Sequence, residues 1–493
     1  MLFNSYEFLF LFLPATLAVF FVLSGTRHQR MAAAWLALAS IFFYGYWNPR
    51  YVFLLLASIA VNFGIGQAIM GYRVAKKFRH AKMALLVAVS ANLVALGYFK
   101  YANFFVDSLN AVGVAHLTLP KIILPIGISF FTFTQIAFLV DTYSGKVREP
   151  GIVHYTLFVT FFPHLIAGPV LHHAEMMPQF ARDSTYRFNL DNFKLGAVYF
   201  FIGLFKKVVL ADTVAVHVAG VYDVPVGSPV PTLAAAWLAT IAYSVQLYFD
   251  FSGYSDMAIG LSRMFNLKLP ANFDSPYRAH NIIDFWRRWH LTLSRFLRNY
   301  LYIPLGGNRG SALRRYLNLL ITMLLGGLWH GAGWGFVLWG GCNGVYLVIN
   351  HLWRGFWNLP KDNPAPTQRW RLELGLTVTF VLIMFSRVFF RTSSLEGASR
   401  VFAGLAGRGG AGPLLLSAQW QSISLLLVLY AWCRWAPNSQ QWLAQKDPVL
   451  KPVEHPARWQ VQFTRRWGLG LAALTATALL LLNRVSEFLY FQF

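Results

Sequence analysis

The chain of 493 residues is 56% apolar, 17% aromatic and only 12% charged, with a mean hydropathy of +0.47. Soluble domains carry about 25% charged residues, so a water-soluble globular protein is excluded, and disorder, collagen, coiled coil and a small disulfide scaffold go with it. The 42 Lys and Arg against 19 Asp and Glu give a formal charge of +23, which on a soluble chain points to nucleic acid but here belongs first to cytoplasmic loops obeying the positive-inside rule.

Apolar runs of spanning length recur from end to end. Residues 8–24 have no Lys or Arg before them, only Glu7, and read as an uncleaved span rather than a secretory signal. Further runs cover 31–47, 51–72, 83–99 and 122–140. Basic residues follow the first run (Arg27, Arg30), the third (Arg73, Lys76, Lys77, Arg79, Lys82) and the fifth (Lys146, Arg148), and are sparse after the second and fourth. That alternation places the N-terminus outside. The segment 158–171 holds Pro163, Gly168 and Pro169 and is predicted to be broken or re-entrant. Residues 195–210 carry Lys206 and Lys207, and 231–261 carry Asp250 and Asp256. Residues 270–315 cannot span, because Arg278, Arg287, Arg288, Arg295, Arg298, Arg309, Arg314 and Arg315 stand among their aromatics. Spans resume at 317–328, 334–349, 372–390, 423–435 and 469–482. The pattern predicts an all-α polytopic membrane protein of roughly eleven helices, forming a single domain over 1–493 with the lipid bilayer as its partner and no nucleic acid. Cys342 and Cys433 form neither a disulfide framework nor a metal pattern.

An imidazole or a charge at membrane depth needs a reason. His330 sits among Gly326, Gly327, Gly331, Gly333 and Gly335. Those glycines allow either close helix packing or an open channel beside the ring. The histidine is then either a packed core residue or a general base, since neutral imidazole titrates near pH 7. In Asp284-Phe-Trp-Arg-Arg-Trp-His290 a continuous helix would put Trp286 and His290 on one face and pair Asp284 with Arg288. The segment reads equally as an interfacial helix with snorkelling arginines or as guanidiniums gripping phosphates. Asp250 and Asp256 are expected to cap helices or to pair with the arginines of 278–298. The loop Leu305-Gly-Gly-Asn-Arg-Gly310 offers backbone N–H groups to an anion, a weak signal alone. His164, His172 and His173 read as loop or core residues.

At these motifs the chain resembles the membrane-bound O-acyltransferase family, in its bacterial alginate O-acetyltransferase and teichoic-acid D-alanyltransferase branch, nearest the alginate enzyme. The resemblance is carried by Leu124-Pro-Ile-Gly-Ile-Ser-Phe-Phe131, Phe162-Pro-His-Leu-Ile-Ala-Gly-Pro-Val170, residues 246–256, Asn272-Phe-Asp-Ser-Pro-Tyr277, Phe285-Trp-Arg-Arg-Trp-His290, Tyr302-Ile-Pro-Leu-Gly-Gly-Asn-Arg-Gly310, Leu328-Trp-His-Gly331 and residues 488–493. It implies a core over about 120–345 with accessory spans at 1–119 and 346–493, re-entrant or interfacial helices, and a central tunnel. His330 matches the family's essential histidine and His290 its second polar position. Where relatives of this branch often carry another histidine, this chain has Asn343.

The activity implied is acetyl transfer from cytoplasmic acetyl-CoA, without a metal, toward a hydroxyl acceptor for O-acetylation of an exported polysaccharide such as alginate. His330 would be the base. His290 would orient the donor or the oxyanion. Trp286, Arg287, Arg288, Arg295, Arg298, Asn308 and Arg309 would hold coenzyme A. The resemblance also implies a bacterial inner membrane, and the chain's lack of an outer domain implies a periplasmic or extracellular relay protein that takes the acyl group. Two rivals change the chemistry: D-alanyl transfer from a carrier-protein thioester, and a non-catalytic transporter of acyl groups, which predicts paired broken helices.

Overall fold

A backbone surrounded by hydrocarbon must satisfy its own polar groups, which favours helices. The described residues form helices and no strand. They are seen in a computed structural model that covers the chain except residues 26–28, 115, 148–150, 361–364, 366, 413–416, 484–488 and 490–493, with only the backbone for 417–419. Arg27, Arg148 and most of the closing motif at 488–493 lie outside the described residues. Four described helices are long and apolar enough to cross a membrane: Phe8–Gly25, Arg50–Val74, Phe78–Ala111 and Arg369–Arg391. The chain groups into two compact units, each drawn from separate stretches of sequence.

The first unit comprises residues 1–204, 254–271 and 439–482. Its early helices are Leu13–Gly25, Gln29–Gly45, Arg50–Val74 and Phe78–Leu96. The expected connector after the fourth is itself helical, Ala102–Ala111, joined through a wide turn at Gly97–Tyr101. Asn62 and Asn92 exchange amide hydrogen bonds of 3.3 and 2.6 Å between the third and fourth of these helices. The predicted break is present: helix Ile152–Thr160 stops at an extended Phe161, and a short helix, Phe162–Leu165, starts with Pro163 in its first turn. His164 is core, its Nε2 lying 2.9 Å from the Phe158 carbonyl. His172 caps helix His173–Phe180 with Glu175. An aromatic core joins distant sequence here, with Phe3 stacked on Tyr254 at 4.8 Å and edge-on to Phe162.

The second unit comprises residues 205–253, 272–438 and 483–493. Lys207, 3% exposed, lies 2.8 Å from Asp212 and 2.7 Å from Asp250. Asp250 therefore pairs with this lysine, not with the arginines of 278–298, because a cation in the neighbouring apolar run already meets it. Asp256, in the first unit, accepts from Ser439 Oγ at 2.5 Å. Helices Ala312–His330 and Trp334–Phe356 touch backbone to backbone. A Cβ on Gly327 would stand 2.3 Å from the Phe336 carbonyl oxygen, and one on Gly340 2.4 Å from that of Met323. Close packing, not an open channel, uses these two glycines.

A candidate active site around His330

Asn281 caps the short helix Ile282–Trp286, its side chain accepting from the Asp284 N–H at 3.0 Å. Asp284 receives Arg288 Nε at 2.9 Å, as its i, i+4 spacing predicts, and faces His280 Nδ1 at 3.0 Å. Burial alone would raise the Asp284 carboxyl, but the bonds from His280 and Arg288 outweigh it and hold the group below the usual carboxylate range. The shared helical face of Trp286 and His290 is not realised, because the helix ends at Trp286. The chain then turns so that the Arg288 carbonyl accepts from Asp274 N–H and Leu291 N–H donates to the Asn272 carbonyl.

That turn puts His290 in the left-handed region, φ 46° and ψ 54°, ahead of helix Leu291–Leu297. The ring is 1% exposed, and its Nδ1 lies 3.0 Å from Asn272 Oδ1. The same oxygen accepts from Thr292 Oγ1 at 2.9 Å, so His290 Nδ1 must be the donor. The neutral ring then presents Nε2 as an acceptor. This nitrogen is buried with no hydrogen-bond partner among the described residues.

His330 ends helix Ala312–His330 and is 7% exposed. Its ring centroid lies 6.3 Å from that of His290 and is walled by Trp329 at 4.9 Å, Trp339 at 5.0 Å and Phe390 at 5.2 Å. Beside it is a small cavity of about 20 Å³, room for about one water molecule. The polar residues on its wall are His330, Asn343 and Arg387; Leu247, Phe251, Phe285, Trp289, Trp339, Ile383 and Phe390 complete it. Asn343 donates to the Trp339 carbonyl at 2.8 Å, and its Oδ1 has no partner among the described residues. Sequence reasoning gave Arg387 no part here. The signal was available: one arginine inside the apolar run 372–390, where a charge is costly.

The other candidates divide. Trp286 reaches the site indirectly, its ring 5.9 Å from Trp339. Arg288 is committed to Asp284, with Asp274 a further 3.5 Å contact. Arg287 is exposed and shares the electrostatic surroundings of His351 with Arg315 and Arg354. Arg295 is half-buried, and Arg298, Asn308 and Arg309 are exposed. In the glycine loop the N–H groups of Gly306, Gly307 and Arg309 donate within the loop, to Ile303, Tyr302 and Gly306. Asn308 accepts from the Tyr302 hydroxyl at 2.6 Å. Those three N–H groups hold the loop's own shape and are not turned to an anion.

Two buried histidines thus lie close together, one of them on the wall of a small, largely apolar cavity, and the comparisons agree with the motifs. The model of the membrane-bound O-acyltransferase family matches residues 126–391, and the chain belongs to that family. It is 42% identical over 441 residues to the peptidoglycan O-acetyltransferase of Helicobacter pylori, covering 83% of this chain and 80% of the relative. It is equally 42% identical, over 407 residues, to the probable alginate O-acetylase of Pseudomonas aeruginosa, covering 82% and 74%. The teichoic acid D-alanyltransferase of Streptococcus thermophilus is more distant, 28% identical over 294 residues, covering 54% and 68%. The resemblance to the alginate enzyme is thus shared with one that bears the name of a different glycan.

Proposed function

We infer that this chain is a membrane-bound O-acetyltransferase that takes an acetyl group from cytoplasmic acetyl-CoA and delivers it toward a hydroxyl for O-acetylation of an exported or cell-envelope polysaccharide. The observation that carries this reading is the buried His330 imidazole on a small cavity, its ring 6.3 Å from that of His290, in a chain 42% identical to two named O-acetylating enzymes. In the reaction the acceptor hydroxyl gives its proton to His330 as its oxygen attacks the thioester carbonyl carbon. The C–O bond forms, the C–S bond breaks, and the departing thiolate recovers the proton from His330. His290, whose Nδ1 is engaged by Asn272, is assigned the orienting role beside it. General-base catalysis supplies about 10²–10⁴-fold, and holding both substrates together supplies much of the rest.

The bundle has about eleven spans around a tunnel, with the N-terminus outside and the donor side cytoplasmic. A bacterial inner membrane and a separate periplasmic or extracellular relay protein complete the scheme. Transfer is tested on purified protein in vesicles with labelled acetyl-CoA: free thiol should be released only when an acyl-accepting partner is present. Cysteines introduced at Lys77 and Arg309 should react with impermeant reagents only after the membrane is opened. Reaction of either in intact cells reverses the orientation.

Coenzyme A carries phosphates, for which exposed guanidiniums are the matching chemistry. Arg287, with Arg315 and Arg354 near the same histidine, is better placed for them than Arg288, which two aspartates engage. Arg287→Ala should raise the donor KM about tenfold, and more at high salt, with kcat little changed. An unchanged KM removes Arg287 from the donor site.

A further inference from the structure

Arg387, in helix Arg369–Arg391, is 3% exposed. The other buried cation described in this unit, Lys207, meets the carboxylates of Asp212 and Asp250. Arg387 has none among the described residues. Its hydrogen bonds leave from Nη1 alone, to the Tyr277 hydroxyl and, at 3.5 Å, to the Ser244 carbonyl. The guanidinium lies over the Trp289 ring at 4.5 Å, with Tyr277 and Phe285 at 5.4 and 5.9 Å. Aromatic faces and neutral oxygens hold a cation in place without cancelling its charge. An uncompensated buried charge is expensive, and this one stands on the wall of the cavity that also holds His330.

Resting on the acyl-transfer reading above, we propose that Arg387 is a catalytic residue that stabilises the oxyanion formed at the thioester carbonyl. When the acceptor oxygen bonds to the carbonyl carbon, the C=O π pair moves to oxygen and His330 takes the hydroxyl proton. The negative charge then sits in a dry site beside a fixed guanidinium. When the C–S bond breaks, the pair returns to the carbonyl and the thiolate takes the proton from His330. Charge and protons balance without another reactant. The aromatic cradle keeps the guanidinium oriented before the charge develops, which is the condition under which such donors act most strongly. Asn343, on the same cavity, supplies no charge of its own and leaves that of Arg387 intact.

The test uses the full-length protein in nanodiscs with acetyl-CoA and its acyl acceptor. Arg387→Gln should lower kcat by about 10²–10³-fold with donor KM within about threefold of wild type, and Arg387→Lys should recover at least tenfold of that loss. A second variant does not depend on removing the cation. Asn343→Asp places a carboxylate on the same cavity as Arg387, and its negative charge should lower kcat of the folded protein about a hundredfold. A purely structural Arg387 predicts folded Asn343→Asp protein without that loss. Wild-type kcat in Arg387→Gln or in Asn343→Asp, or equal losses in the Gln and Lys variants, overturns the proposal. If wild-type protein itself moves no acetyl group from acetyl-CoA, it is the functional reading that fails. If His330→Gln is inactive while Arg387→Gln is normal, only the role of Arg387 fails.

Discussion

His330→Gln should insert, fold and bind acetyl-CoA, yet transfer acetyl groups at least about a hundredfold more slowly than wild type. Glutamine keeps similar volume and hydrogen-bonding capacity, so a histidine that only packs between Trp329, Trp339 and Phe390 should tolerate it. An amide accepts no proton near neutral pH, so a general base cannot. His290→Gln should be milder, because that ring orients rather than abstracts. The decisive measurement is single-turnover transfer from labelled acetyl-CoA on monodisperse protein, with donor binding measured alongside. Near-normal transfer by a folded His330→Gln would leave the histidine as a packing residue and end the catalytic assignment.

The largest effect on stability should come from Lys207→Met. The ammonium stands between two carboxylates, Asp212 and Asp250, whose side chains are 6% and 1% exposed. Methionine fills much the same volume but leaves both acids without their cation. Breaking a buried pair from one side costs about 3–5 kcal/mol, because the remaining charge stays desolvated. The variant should lose most of its monodisperse yield in detergent and melt well below wild type. The double variant Lys207→Met, Asp250→Asn should recover part of the loss, since it removes one of the stranded charges. A melting temperature within a degree or two of wild type in the single variant would show that water or lipid headgroups already solvate the cluster.

Much of this architecture was legible because membrane spans are written as long apolar runs with basic residues at their ends. The break at Phe161 was readable from Pro163, and the irregular course of 270–315 from its arginines. The Asp284–Arg288 pair followed from spacing because it is local. What could not be read was long-range or set by a turn. The chain reverses after Trp286, and nothing in Arg287-Arg288-Trp289 announces a left-handed residue at 290. The partner of Asp250 lies 43 residues upstream, hidden inside another apolar run. Arg387 reaches the His330 cavity from a helix that shows in sequence only as one more span. Backbone contact at Gly327 and Gly340 was one of two readings of the same glycines, and only coordinates separate them.

The paired amides of Asn62 and Asn92 bear on how the protein enters its membrane. Their helices, Arg50–Val74 and Phe78–Leu96, are joined only by Ala75, Lys76 and Lys77. Each amide also donates to the carbonyl one turn back, Ser58 and Ala88 respectively, at 2.8 Å. A helix inserted alone would leave its amide oxygen without a donor in hydrocarbon, whereas a tight hairpin supplies that donor at once. Interhelical bonds of this kind are worth about 0.6–2 kcal/mol, enough to bias the order of events without dictating the fold. The two helices are therefore expected to enter the bilayer as one hairpin, registered against each other before later segments follow.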